Sequence, residues 1–298
     1  MKKVLEFGTR WGFLLLLAAV LIGGEAWMRV TDPVGHMTCI PRSDYEIIRS
    51  QYPDMTFEKA IFGSSAVTAS YIAGQNDTSY VNLGVDYGTV KDITEMLEKG
   101  LVTVTDELVL GLNNLSFLDS LPTNETYPWH REWYQPYLYF QRDRLYALIT
   151  EGVDSVLHGG PFILRDTSVQ QRVVYRGALS DEALSESWDS LVERFGDTGP
   201  ADCEENLAAL DRLAAYCTAH GIRLRAVWMP WNGKLDIYPA ARSVMDAADE
   251  RMAALGIEVL DATRVVPEEY FFDTGHLNYD VGSPWFTDWL DPWLAEEG

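Results

Sequence analysis

An α/β fold, a three-layer sandwich with a central parallel sheet between helices, is predicted for most of this 298-residue chain, preceded by one N-terminal transmembrane helix. Short apolar runs alternate with stretches of helical periodicity, and glycine-flanked polar side chains stand at the ends of several runs. An apolar stretch from Trp11 to Trp27, behind Lys2, Lys3 and Arg10, supplies the membrane helix.

That stretch is broken only by glycines and Glu25, and it approaches the ~17–25 residues that a bilayer span requires. Positive charge before it and acidic composition after it place residues 1–10 in the cytoplasm and the remainder outside. Tryptophans at both ends suit a membrane interface, which favours an uncleaved anchor over 11–28. The densest part, Phe13 to Ile22, is also short enough for a signal-peptide core, with Gly24-Glu25-Ala26 as a small-x-small cleavage site. Both readings export the rest of the chain, a linker over 29–58 and a domain over 59–298.

Strands covered on both faces read as continuous apolar runs. Such runs are Lys59 to Phe62, Ser79 to Leu83, Glu107 to Leu112, Arg223 to Met229 and Gly256 to Leu260. Glu204 to His220 is an amphipathic helix stopped by Gly221, and Ala240 to Leu255 is a second stopped by Gly256. Residues 116–200 lack strand rhythm and are long for a connection, so they read as a helical insertion, a lid or a docking surface. Within it, Trp129, Trp133, Tyr134, Tyr137, Tyr139 and Phe140 suit a sugar cleft, a membrane-proximal surface or plain helix packing.

A net charge of −22, from 23 Lys+Arg against 45 Asp+Glu, argues against nucleic acid or anionic lipid as a partner of the soluble part. Cys203 and Cys217 either pair or remain free thiols, and Cys39 is left over. No Cys/His spacing fits zinc, and no metal or cofactor is expected.

The chemistry lies in Gly63-Ser64-Ser65, after the first run, and Asp273-Thr274-Gly275-His276 near the C-terminus. A serine hydroxyl is a poor nucleophile at neutral pH and needs a base that is itself oriented by a third group. Each piece also has a structural use: the serines as helix caps, Asp273 as another cap, Gly84 as a turn, Asn113-Asn114 as a strand exit. In a parallel sheet, however, reactive groups gather beyond the C-terminal ends of the strands, where Ser65, Gly84 and Asn113 all fall.

The set resembles the SGNH (GDSL-like) hydrolase superfamily. Ser65 in Phe62-Gly63-Ser64-Ser65, Gly84 in Asn82-Leu83-Gly84, Asn113 in Gly111-Leu112-Asn113-Asn114, and Asp273 with His276 match its four blocks in order. Ser64 and Asn114 stand where many members have Asp. Those departures, with the anchor, resemble an exported branch that includes the teichoic acid D-alanyl-transfer protein and the alginate O-acetylation proteins. The resemblance implies Ser65 as nucleophile, His276 as base and Asp273 as its orienting carboxylate. Its oxyanion hole would comprise the Ser65 and Gly84 N–H groups and the Asn113 amide. It further implies a cell-envelope glycan, an acyl donor and a membrane-bound O-acyltransferase as partners.

Trp228, Trp231 and Asn232 follow the fourth run and are candidates for a substrate wall, with core packing an equal alternative for the rings. The expected function is an extracytoplasmic serine acyltransferase or esterase, moving an acyl group, most simply acetyl, to or from a cell-envelope polysaccharide. The second reading is a non-catalytic SGNH-shaped scaffold that binds a glycan or a membrane-bound acyltransferase.

Overall fold

The computed structural model describes residues 2–76, 79–121, 123–162, 166–167 and 169–296, with the backbone alone for 2–10; the Lys2, Lys3 and Arg10 side chains lie outside it. In chain order the elements are α1 (Lys2–Thr31), α2 (Asp44–Gln51), β1 (Thr56–Gly63), α3 (Ser65–Ser70), β2 (Tyr80–Asn82), α4 (Val90–Glu98) and β3 (Thr103–Leu112). Then come α5 (Tyr137–Leu157), α6 (Asp181–Phe195), α7 (Glu204–His220), β4 (Arg223–Trp228), α8 (Pro239–Ala254), β5 (Glu258–Asp261) and α9 (Gly282–Leu294). Two compact units result: Met1–Ser43 with Thr126–Gln170, and Asp44–Glu125 with Gln171–Gly298.

The second unit is the expected α/β sandwich. Its five strands are all parallel, in the order β2-β1-β3-β4-β5, the flavodoxin-like order of doubly wound sheets. Helices α3 and α9 pack on one face, over Ile61, Val109 and Val227. Successive side chains on a strand point to opposite faces, so Leu108, Leu110 and Ala226 meet the other layer, where α4, α7 and α8 lie against β3, β4 and β5. Strand β3 starts at Thr103, ahead of the expected Glu107, because its first half is largely exposed and polar while still pairing with β1 from Thr56 onward. Apolarity marks only the part of a strand that is covered.

Helix α4 was not legible from apolar runs. Its start is a capping box: the Thr89 hydroxyl accepts the Asp92 N–H while the Asp92 carboxylate accepts the Thr89 N–H at 2.8 Å. The cysteines are free thiols, and burial pushes those of Cys203 and Cys217 up to about 12.

The first unit holds α1 and α5. Trp11–Thr31 is long and apolar enough to cross a membrane, with a mean hydropathy of 1.8. Val34, Ile40 and Tyr137 form its small core, with Met28, Cys39, Leu145 and Leu148 packed against them.

One charge pair is fully enclosed in the sheet unit. The Arg225 guanidinium donates to the Glu107 carboxylate on the neighbouring strand, and both are buried. The rest of its fork donates to the Trp293 and Leu294 carbonyls at 2.8 and 3.1 Å. Those carbonyls belong to the last turn of α9, beyond the regular helical hydrogen bonds, where the Trp293 carbonyl also accepts the Glu296 N–H at 3.2 Å. Arg225 therefore fastens the C-terminal helix to β4. Glu107→Ala leaves a buried guanidinium without its counter-charge and is expected to destabilise the fold by about 3–5 kcal/mol, read as a shift in the denaturant unfolding midpoint.

Candidate active site

The site begins with two glycines that have no room for a side chain. Gly63 at the end of β1 is in register with Gly111 of β3. A Cβ on Gly63 would lie 2.2 Å from the Gly111 carbonyl oxygen and 2.5 Å from Val67 Cγ2, and one on Gly111 would lie 2.2 Å from Val67 Cγ2. The bare strand ends let α3 settle directly onto the sheet.

At the top of α3 the two serines divide the work. Ser64 is the N-cap, its hydroxyl accepting the Ala66 N–H at 3.3 Å. Ser65 begins the helix and keeps its own hydroxyl clear of the cap; Ser65 Oγ lies 2.9 Å from His276 Nε2. The cap expected of this pair thus falls on Ser64, and the hydroxyl that faces the imidazole falls on Ser65.

Asp273 arranges its own loop. One carboxylate oxygen accepts the N–H groups of Gly275 and His276 at 3.0 and 2.8 Å, and the other faces His276 Nδ1 at 2.8 Å. A carboxylate only accepts, so Nδ1 carries the proton and Nε2 of the neutral ring presents its lone pair to the Ser65 hydroxyl. The structure thus brings Ser65 to His276 and Asp273, more than two hundred residues further along the chain.

Asn113 points its amide nitrogen at Ser64. Its Oδ1 accepts the Ser116 N–H at 3.0 Å, capping a single 3₁₀ turn, which leaves Nδ2 to donate to Ser64 Oγ at 3.2 Å. Asn114 is buried and donates to the Tyr238 hydroxyl at 2.8 Å.

These groups open into a cavity of about 400 Å³ beyond the C-terminal ends of β1, β3 and β4. Ser65, Asn113, Trp231 and His276 line it, and Ser187 and Ser190 of α6 form part of its wall. Three expectations need correction. The Gly84 N–H donates to Asn82 Oδ1 at 3.0 Å, so it is engaged rather than free for an oxyanion. A Cβ on Gly84 would lie 2.7 Å from Thr68 Oγ1, so this glycine serves close packing against α3. Trp228 is no cavity wall: its strand carries it into the core beside Phe117, where its indole N–H donates to Asp249 at 2.8 Å. Asn232 is also buried; its backbone N–H and side-chain amide donate to the Thr274 and Asp273 carbonyls at 3.1 and 2.9 Å. It holds the Asp273 loop instead of facing a substrate.

Two residues of the site escaped sequence reading. The Tyr175 ring stacks on the His276 imidazole, with centroids 4.1 Å apart and planes 14° from parallel. Burial, and the carboxylates of Asp86, Asp273 and Asp44, push its phenol up to about 12. Arg172 donates to Asn82 Oδ1, the Asn82 carbonyl and the Gly84 carbonyl at 3.2, 3.0 and 2.9 Å. It thereby ties the extended segment that carries Tyr175 to the end of β2. Neither residue lies in a motif or a periodic run, so no local signal marks them.

Burial also raises the Asp86 carboxyl, against the positive charge that His276 carries in its imidazolium form and the Tyr87 N–H, which draw it down. At Asp273 burial again works upward, yet the His276 hydrogen bond, the charge of its imidazolium form, and the Gly275 and His276 N–H groups outweigh it and hold the carboxyl below its ordinary value.

No family model matches the chain, and no curated protein matches its sequence. Among solved structures it is similar to Est24, a carbohydrate acetylesterase from Sinorhizobium meliloti, at 8% identity and a TM-score of 0.36, over 80% of this chain and 99% of that one. A likeness of that degree fixes no activity for this chain.

The depressed Asp273 carboxyl implies a definite pH dependence. A group with a lowered folded pKa stabilises the fold above its unfolded value and loses that contribution as pH falls through the folded value. The stability gap between the parent and Asp273→Asn should therefore be steady near neutrality and close as pH drops below 3.8, in unfolding curves taken across the acid range.

Proposed function

We propose that this chain is an SGNH-type serine O-acyltransferase or esterase that moves an acyl group, acetyl in the simplest case, to or from a cell-envelope polysaccharide. The observation that carries this reading is the unbroken relay from Ser65 Oγ through the His276 ring to Asp273 in one cavity. The ordered Ser, Gly, Asn and His blocks support the same superfamily. Helix α1 supports an anchored, exported location.

The chemistry is built from these contacts. As Ser65 Oγ bonds to the ester carbonyl carbon, its proton passes to His276 Nε2, and Asp273 stabilises the resulting imidazolium. The carbonyl oxygen becomes negative and meets the Asn113 Nδ2 donor and the Ser65 N–H, one of the donors that a first helical turn leaves unpaired. Collapse expels the alcohol, which takes the proton back from Nε2 and leaves an acyl-serine. A second hydroxyl, from a sugar or from water, then loses its proton to Nε2 and attacks that ester; the acyl–Oγ bond breaks and Ser65 Oγ takes the proton back from Nε2. Transfer and hydrolysis differ only in this second hydroxyl. A membrane-bound O-acyltransferase would be the source of the acyl donor.

Two experiments test the reading. A fluorophosphonate probe should label the native chain and fail on Ser65→Ala; a folded native chain that stays unlabelled would instead favour the non-catalytic scaffold. Asn113→Asp keeps the oxygen that caps the 3₁₀ turn and loses the amide donor. Its kcat on an acetyl ester should fall about 10²- to 10³-fold with the unfolding midpoint nearly unchanged.

A further inference from the structure

Helix α5 has two apolar sides, and the first unit covers only one. Tyr137, Leu145 and Leu148 pack on Met28, Val34, Cys39 and Ile40. On the outward side Leu138, Tyr146, Ile149, Val153 and Val156 succeed one another at helical spacing, each between 47% and 69% exposed. Trp133 and Tyr134, just before the helix, are exposed as well. Arg142 is the charged residue on this stripe, its guanidinium 4.5 Å from the Tyr139 ring centre. The acidic Glu151 and Asp154 fall on the other side of the helix. A contiguous apolar stripe of this length marks a surface that meets something other than water.

The helix attached to it indicates what that is. Glu25 of α1 accepts the Tyr137 N–H at 2.7 Å, and Arg29 donates to the Trp133 and Gln135 carbonyls at 3.0 and 2.6 Å. Asp32 accepts the Tyr137 hydroxyl at 2.8 Å, and that hydroxyl accepts the Val34 N–H at 2.8 Å. The start of α5 and the exposed Trp133 and Tyr134 are therefore fixed to the end of Trp11–Thr31, the helix that is apolar enough to cross a membrane. Indole and phenol rings at the end of a span form the usual aromatic belt. An arginine can lay its stem on apolar surface and keep its head among lipid headgroups.

We propose that α5 is an interfacial helix, its Leu138-to-Val156 stripe lying in the headgroup and upper acyl layer of the bilayer where α1 leaves it. The occupant is lipid, drawn by apolar contact and not by anionic headgroups, in keeping with the net charge of −22. The proposal rests on α1 as a span and is independent of any catalysis at Ser65.

The test uses the full chain in phosphatidylcholine vesicles, with photoreactive benzoylphenylalanine placed singly at Ile149, Val153, Glu151 or Leu16. Each variant is first matched to the parent by circular dichroism. Ile149 and Val153 should yield adducts heavier by one phosphatidylcholine at a frequency several-fold above Glu151, with Leu16 as the marker of the span. Adducts at Ile149 and Val153 to a second copy of the chain, or lipid adducts no more frequent there than at Glu151, would overturn the proposal. Absence of a lipid adduct at Leu16 would remove its premise and overturn it too.

Discussion

The arrangement depends on how closely α3 approaches the sheet. Gly63 and Gly111 face each other across β1 and β3, and neither tolerates even a methyl group beside Val67 and the opposing backbone. Any side chain there would lift the helix by more than the tolerance of a hydrogen bond. With the helix down, Ser64 closes its first turn and Ser65 stands at the cavity floor, 2.9 Å from His276. The glycines in the two blocks are thus packing residues with a chemical consequence.

The second partner in that contact is held from several directions. Asp273 shapes the loop and fixes the imidazole tautomer, Asn232 binds the loop carbonyls from below, and Tyr175 lies flat against the ring. Tyr175 is in turn tied to the end of β2 through Arg172 and the Asn82 and Gly84 carbonyls. The glycine block keeps a place in the site by this route, as the anchor of a strap. A half-buried guanidinium answered by carbonyls is costly to build, so such a strap defines one geometry and disfavours others.

Much of this is readable in the residue pattern, for identifiable reasons. Parallel strands under two helical layers are mostly apolar, so five runs between Lys59 and Leu260 identified the sheet. Where a strand is mostly uncovered, as at Thr103, Thr105 and Asp106, that reason lapses and so does the signal. Ser65, Asn113, Asp273 and His276 were legible because short polar motifs at strand ends fall on one edge of such a sheet. Trp228 and Asn232 were misplaced because a strand end offers both a core side and a cleft side, and a two-residue period does not say which is which.

The alternation of strands and helices along the chain, the presence of an apolar N-terminal helix and the candidate side chains Ser65, Asp273 and His276 were set by residue pattern alone, since each comes from local periodicity or from a short motif. Tertiary structure decided which donors are free, which rings face the cavity, and that Tyr175 and Arg172 belong to the site at all. The reason is that hydrogen-bond engagement and side-chain burial are properties of neighbours distant in the chain. The Gly84 N–H becomes occupied only when the Asn82 carboxamide turns toward it, and the imidazole meets Tyr175 only when a segment without secondary structure crosses the sheet edge.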